Sequence, residues 1–359
     1  MERLIALFRE LFGVDAISCT KLAASGSGRA YYRLTDADGR SVVGAVGVSA
    51  VENRAFITIS NHFAKAGLNV PKVLKVSDDG MYYLQDDLGD RTLFSALESG
   101  RTKGIYDNLQ KQLLLKTIAH LPKLQFEGGR GLDYSVCYPQ SEFDRRNILF
   151  DLNYFKYDFL KLTWIAFDEN ALQDDFERFA DDLLATGCPV GFMYRDFQSR
   201  NVMLVDGEPY FIDFQGGRKG PVCYDLASFV WQAAARYPEE LKEELVNEYI
   251  RAAKPYADLD NEAFRSALRL YVLLRTLQVL GAYGFRGYIE KKGHFLASVP
   301  FALQNAASLI DDTLRSRYPQ LCEVLELLQE SAQQGPVPAD GKLTVEVTSF
   351  SFRQGAPSD

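Results

Sequence analysis

Asp196, Asn201 and Asp213 are the residues whose types and spacing most plainly suit chemistry. They sit in Tyr194-Arg195-Asp196-Phe197-Gln198-Ser199-Arg200-Asn201 and Phe211-Ile212-Asp213-Phe214. Three oxygen-bearing side chains spaced in this way meet the needs of phosphoryl transfer from a nucleotide. One carboxylate takes the proton of the acceptor hydroxyl, while an amide and a second carboxylate hold magnesium against the phosphates. Asp196 is the expected catalytic base, since its loop position projects a carboxylate toward the acceptor and a base must lie within hydrogen-bond reach of the proton it removes. Asn201 and Asp213 are the expected metal ligands. Any one of the three alone is as well explained by a turn. The argument rests on the set, with Asp206-Gly207 as the turn of a hairpin between Asn201 and Asp213.

These residues need two kinds of support. The first ninety residues read as a small strand-rich unit. Met1 to Phe12 carries apolar residues at a helical period. Ser25-Gly26-Ser27-Gly28 is a glycine loop whose backbone N–H groups could cradle phosphates, and it leads into a strand at 30–34. A turn at Asp38-Gly39 connects to a partner strand at 41–46. A helix is expected over 52–66, then strands at 73–76 and 81–85. Beyond this unit the pattern is mostly helical, at 109–121, 172–184, 224–236, 240–255, 262–282 and 302–330, interrupted by the hairpin strands 201–205 and 209–212. Asp225 begins the first helix after the hairpin, where the helix dipole favours a carboxylate. Residues 331–342 read as a linker and 343–352 as a strand with no evident partner.

The whole chain narrows the function classes. Its 359 residues allow two lobes, and 47% hydrophobic with 25% charged residues excludes a disordered or fibrous chain. A net charge of −8 argues against a general nucleic-acid or membrane-surface binder, which needs a basic face. The five cysteines are scattered and without metal-like spacing, which fits a reduced, cytoplasmic compartment. No apolar run reaches the length of a membrane span.

The catalytic stretch resembles the protein-kinase pattern H-R-D-x-x-x-x-N followed by D-F-G, with Tyr194 in place of His and Gln215 in place of the last Gly. The departures direct the resemblance to relatives of protein kinases. Over roughly residues 1–330 the chain is similar to the aminoglycoside phosphotransferase superfamily. Within it the chain is most similar to the cell-wall-recycling kinases that phosphorylate N-acetylmuramate and N-acetylglucosamine at the anomeric hydroxyl. Asp86-Asp87-Leu88-Gly89-Asp90, Phe143-Asp144-Arg145-Arg146 and Ile212-Asp213-Phe214-Gln215 with Gly220 to Asp225 carry that finer match.

The resemblance implies an α+β, bilobal protein-kinase-like fold. A small β-rich N-lobe would span 1–88 and bind nucleotide, and a larger helical C-lobe would span 89–330 with the catalytic loop and acceptor site. It implies ATP or GTP with Mg2+ as cofactors, and a small-molecule amino sugar as partner. Nucleotide contacts would come from Ser25, Gly26, Ser27, Gly28 and Arg29, and from the hinge residues Gln85, Asp86 and Leu88. Asp144, Arg145, Arg146, Arg195 and Arg200 would face the acceptor, with Arg145 and Arg146 suited to a sugar carboxylate through the planar guanidinium fork. Asp225 would brace the catalytic loop, a structural role. One departure stands out: the third strand, Val42 to Val46, lacks the lysine that holds the first two phosphates, so the helical Glu52 lacks its expected partner. Arg29 and Lys21 are the candidate replacements.

Two other readings stay open. One is a kinase for an aminoglycoside, choline or homoserine, and the other is a non-catalytic nucleotide- or sugar-sensing pseudokinase. The segment from Leu343 to Gly355 resembles the opening of the C-terminal domain of the RNase adapter protein RapZ family, which implies that 343–359 begin a truncated second domain. No nucleic acid or membrane partner is expected for the present segment. An RNA or sugar-sensing role arises only if a RapZ-like domain follows.

Overall fold

The computed structural model describes residues 1–22 and 28–333. Ser25, Gly26 and Ser27 of the glycine loop, the linker from 334 on and the RapZ-like strand lie outside the described residues.

The chain opens with α1 (Glu2–Phe12) and β1 (Ser18–Lys21), then β2 (Ala30–Thr35) and β3 (Ser41–Val46), α2 (Ala50–Lys65), β4 (Val73–Val76) and β5 (Tyr82–Asp86). The five strands form one antiparallel sheet in the order β1-β2-β3-β5-β4. β2 and β3 pair as a hairpin from Ala30↔Val46 to Thr35↔Ser41. Its turn is held by the buried carboxylate of Asp36, which accepts the N–H groups of Asp38 and Arg40 at 3.1 and 2.8 Å.

Side-chain alternation gives the sheet two buried faces. Leu34, Val42 and Leu84 pack against Leu4, Leu7 and Phe8 of α1. Ala45 and Tyr83 point the other way, into the main core with Phe56, Ile59 and Phe63 of α2. The helix α2 starts at the Ser49 N-cap, whose hydroxyl accepts the Glu52 N–H at 3.4 Å. That cap sets Glu52 in the first turn, at the cleft end of the sheet.

The helical lobe begins with α3 (Leu93–Ala96), α4 (Glu98–Lys103), α5 (Asn108–Phe126), α6 (Arg145–Asp158) and α7 (Glu169–Ala185). Four short strands come next, β6 (Val190–Met193), β7 (Val202–Val205), β8 (Glu208–Phe211) and β9 (Arg218–Pro221). They form two antiparallel pairs, β6–β9 and the β7–β8 hairpin. The lobe closes with α8 (Cys223–Val230), α9 (Glu239–Ala253), α10 (Asn261–Gly284), α11 (Val299–Ala307), α12 (Asp312–Arg317) and α13 (Pro319–Gln333). α10 is the central post, packed on α6, α8 and α11 and burying Leu268, Val272, Leu274 and Leu277. Its contact with α6 is close: a Cβ on Gly284 would stand 2.0 Å from the Asp158 carbonyl oxygen, so only glycine admits that approach.

The kinase-like α+β architecture is as expected, and three details differ. The helix expected over 302–330 is broken into three. Asp311 caps a new start by accepting the Leu314 N–H at 2.9 Å, and the Pro319 ring, lacking an N–H, opens the last piece. That last helix runs to Gln333, into the span read as linker from 331. The helix expected over 224–236 ends at Val230, followed by a single 3-10 turn at Ala233–Ala235.

Candidate active site

β6 delivers the chain to Tyr194, and a buried carboxylate fixes the start of the catalytic loop. Asp225, in the first turn of α8, accepts the backbone N–H groups of Tyr194 and Arg195 at 2.8 and 2.9 Å. It also accepts the Gln125 amide of α5 at 2.9 Å, itself held by the Tyr249 hydroxyl at 2.6 Å. Burial pushes the Asp225 carboxyl up to about 6, against the pull of those donors. It is therefore still mostly ionised at neutral pH, and it ties α5, α8 and α9 to the loop.

The loop backbone is unusual at the positions so held. Arg195 has φ 78° and Asp213 φ 67°, both in the left-handed region that costs a non-glycine residue energy and persists where surroundings over-determine it. For Arg195 the surroundings are a bidentate pair with Asp151 of α6, at 2.7 and 2.6 Å, in addition to Asp225. Its guanidinium also lies over Phe143 and Tyr224. The Tyr194 ring is buried and its hydroxyl donates to the Ile212 carbonyl, which fastens the loop to the strand end just before Asp213.

The set expected from the sequence converges here. Asp196 is half-exposed, and its carboxylate meets the amides of Gln198 and Asn201, the latter at 3.4 Å. Asn201 also donates to the Asp196 carbonyl at 2.9 Å. With its amide nitrogen so engaged, Asn201 keeps its oxygen for another ligand. Asp213 accepts the Gln215 amide on one oxygen at 2.8 Å. Burial raises the Asp213 carboxyl above the usual range, the Gln215 donor lowers it, and the neighbouring Asp196 charge raises it again. A cation beside Asp213 would relieve that burial. Among the described residues no group of three or more His, Cys, Asp and Glu stands ready for a metal. One buried carboxylate and one amide oxygen fit magnesium instead, which takes few protein ligands and shares the rest with water and phosphate.

Asp213 is placed by its neighbour. Phe214 stacks on Phe56 of α2 at 5.0 Å between ring centroids, and meets Phe63 at 5.3 Å. The hairpin end is thus packed into the N-lobe helix that carries Glu52. Glu52 has a partner: Arg29, one residue before β2, approaches it at 3.0 Å. Gly28 is exposed at the described end of the glycine loop.

At the hinge, Asp86 accepts the Lys72 N–H at 3.0 Å and Gln85 is buried. Asp87, quoted within the Asp86 to Asp90 motif but given no role of its own, is the anchored residue, taking Arg33 at 2.6 and 2.9 Å and the Ser41 hydroxyl at 2.5 Å. Burial alone would raise the Asp87 carboxyl, but those donors bring it below the usual range. A cavity of about 640 Å³ lies behind this hinge, lined by Asp86, Leu88, Lys72, Val205 and Tyr210, and does not include the Asp196 set.

The residues expected to face the acceptor divide. Asp144 caps α6, accepting the Asn147 N–H at 3.0 Å. Arg145 is turned to α7, paired with Asp181 at 2.7 Å and with Glu177. Arg146 is exposed on the first turn of α6. Arg195 is spent on Asp151. Arg200 is exposed beside Phe94, 5.8 Å from its ring centroid. Arg275 of α10 was missed: its guanidinium stands 3.6 Å from the Asp196 carboxylate and donates to the Ser228 hydroxyl at 3.0 Å. A lone arginine in the otherwise uncharged stretch from Leu270 to Gly284 was the available signal. Arg218 was also missed; buried on β9, it donates to Asn147 at 2.7 Å and so ties the strand to the start of α6.

With this geometry stand four likenesses. The model of the phosphotransferase enzyme family matches residues 18–265. An N-acetylmuramate/N-acetylglucosamine kinase of Neisseria meningitidis serogroup B is 29% identical over 321 residues, covering 87% of this chain and 90% of that protein. One from Pseudomonas putida is 28% identical over 339 residues, covering 92% and 93%. Among solved structures, the amicoumacin kinase hAmiN in complex with AMP-PNP, Ca2+ and Ami superposes with a TM-score of 0.61 at 13% identity, over 86% of this chain and 93% of that one, a likeness of fold.

Proposed function

We propose, since the chain belongs to the phosphotransferase enzyme family, that it is an ATP- and magnesium-dependent kinase phosphorylating an amino sugar at its anomeric hydroxyl. The acceptor is of the N-acetylmuramate or N-acetylglucosamine type. The observation that carries this reading is the likeness, over nearly the whole chain, to relatives named for those two sugars, in a protein that keeps Asp196, Asn201 and Asp213 together.

The proposed chemistry is an in-line displacement. The sugar hydroxyl oxygen bonds to the γ-phosphorus, its proton passes to the Asp196 carboxylate, and the bond from that phosphorus to the bridging oxygen breaks, leaving ADP. Asn201 and Asp213 would hold magnesium, which supplies charge neutralisation on the phosphoryl oxygens when bound. The chain's larger contribution is positioning. Asp225 and Asp151 fix the loop backbone, so that Asp196 meets the acceptor without reorganisation, and Phe214 sets the height of Asp213 against the N-lobe. Arg275 sets a cation 3.6 Å from the Asp196 carboxylate, which suits an acceptor carrying a carboxylate and opposes a polycationic aminoglycoside or choline.

A turnover screen with ATP over N-acetylmuramate, N-acetylglucosamine, an aminoglycoside and choline tests the reading. The expected outcome is ADP release with the two amino sugars. Release only with the aminoglycoside or choline would overturn the acceptor assignment, and absence of turnover alongside tight sugar binding would indicate a sensing module.

A further inference from the structure

We infer that Arg29 is the nucleotide-phosphate clamp, moved from the third strand of the sheet to the threshold of the second. The inference rests on the kinase reading above and says how a chain without the third-strand lysine completes that site.

The sheet register decides which side chains reach the cleft. Tyr31 opposes Ala45, and Arg33 opposes Val43, so these four share a face. That face is the α2 side, since Ala45 belongs to the core with Phe56 and Tyr83. Gly44 lies on the other face, where an added Cβ would stand 3.0 Å from Leu4 of α1. Position 45 is thus the cleft position of β3 next to α2, and it holds only a methyl group. Lys21 is set aside by the same register. It opposes Tyr32, which packs with the α1 cluster, so Lys21 belongs to the face away from the cleft.

Arg29 stands two residues before Tyr31, on the cleft face. It is 3% exposed. One terminal nitrogen meets Glu52 at 3.0 Å and the other donates to the Tyr31 hydroxyl at 3.3 Å. Its charge lies 5.8 Å from the Phe56 ring centroid, the ring on which Phe214 stacks. Its Nε is buried without a hydrogen-bond partner among the described residues. A buried guanidinium held by a helical glutamate and keeping its Nε–H in hand is built to receive an anion, and guanidinium donors suit phosphate. In protein kinases the lysine–glutamate pair must be in place for transfer. Here the glutamate is retained and the cation arrives from the residue that precedes the neighbouring strand.

The test is binding, so it does not depend on turnover. Dissociation constants are measured for magnesium–AMP-PNP and for adenosine with wild type, Arg29→Gln and Arg29→Lys, each checked for an unchanged melting temperature. Arg29→Gln is expected to weaken AMP-PNP about tenfold or more and leave adenosine within about twofold, the mark of a lost phosphate contact. Arg29→Lys, which keeps the charge should Arg29→Gln fail to fold, is expected to fall between. Equal weakening of adenosine and AMP-PNP, or an AMP-PNP affinity unchanged in Arg29→Gln, overturns the clamp while leaving the kinase reading intact. A wild-type chain that binds neither ligand overturns the kinase reading itself.

Discussion

Asp196 is met by side chains from three directions: Gln198 in its own loop, Asn201 at the loop's end and Arg275 on α10. Asn201 was legible in the sequence, because its spacing from Asp196 is a local property of one loop, whereas Gln198 was not singled out. Arg275 was not legible, since it reaches the loop only after α10 has packed against α8. The same limit applied to Arg145, whose carboxylate partners Glu177 and Asp181 lie on a different helix. If Asp196 takes the acceptor proton, Asp196→Asn lowers kcat by about 10²–10⁴-fold and leaves AMP-PNP affinity unchanged. Steady-state kinetics beside a binding titration separates the two. A kcat within a few-fold of wild type would place the base elsewhere.

At the scale of elements, the catalytic loop is a product of its supports. The resemblance implied Asp225 as a brace of the catalytic loop, and its carboxylate accepts the Tyr194 and Arg195 N–H groups and the Gln125 amide. Its folded carboxyl, at about 6, lies above the ordinary 3.8. The native state therefore holds this proton across the interval between those values, and the stability due to this group is present at low pH and declines as pH rises through that window. The stability advantage of wild type over Asp225→Asn should accordingly shrink between pH 4.5 and 6.5, about the same window, in urea unfolding. An advantage that grows with pH would reverse the assignment.

Gly217 shows a second dependence between elements. A Cβ there would stand 2.1 Å from the tip of the Phe192 ring on β6, and that ring meets Phe63 of α2 edge-on at 4.9 Å. Gly217→Ala should destabilise by roughly 1–3 kcal/mol through displacement of Phe192. A melting temperature at or above the wild-type value would show that the ring moves at no cost. The sequence marked neither β6 nor β9 as a strand. Each is four residues long, and their pairing is non-local, so no alternation pattern could develop.

Across the whole molecule, the two lobes meet through aromatic rings. Phe56 joins Tyr83 of the sheet to Phe214 beside Asp213, so α2 and the hairpin end that carries Asp213 share one packed core. A strand-rich start, a hairpin between Asn201 and Asp213 and an apolar helical remainder could be read from local periodicity, whereas the bilobal kinase-like arrangement was implied by the family resemblance. Which of Arg29 and Lys21 would stand beside Glu52 could not be read, because it depends on the register of β1 on β2 and on the cap that starts α2. Among the described residues no helix is long and apolar enough to cross a membrane.

The central claim is phosphorylation of an amino sugar at the anomeric oxygen, and the position of phosphate in the product tests it most directly. Wild-type protein is incubated with magnesium, ATP and N-acetylmuramate, and phosphorus–proton coupling is read from the product by NMR. The account predicts coupling to the anomeric proton. Coupling to a proton at any other carbon, or an unmodified sugar after prolonged incubation, would contradict it.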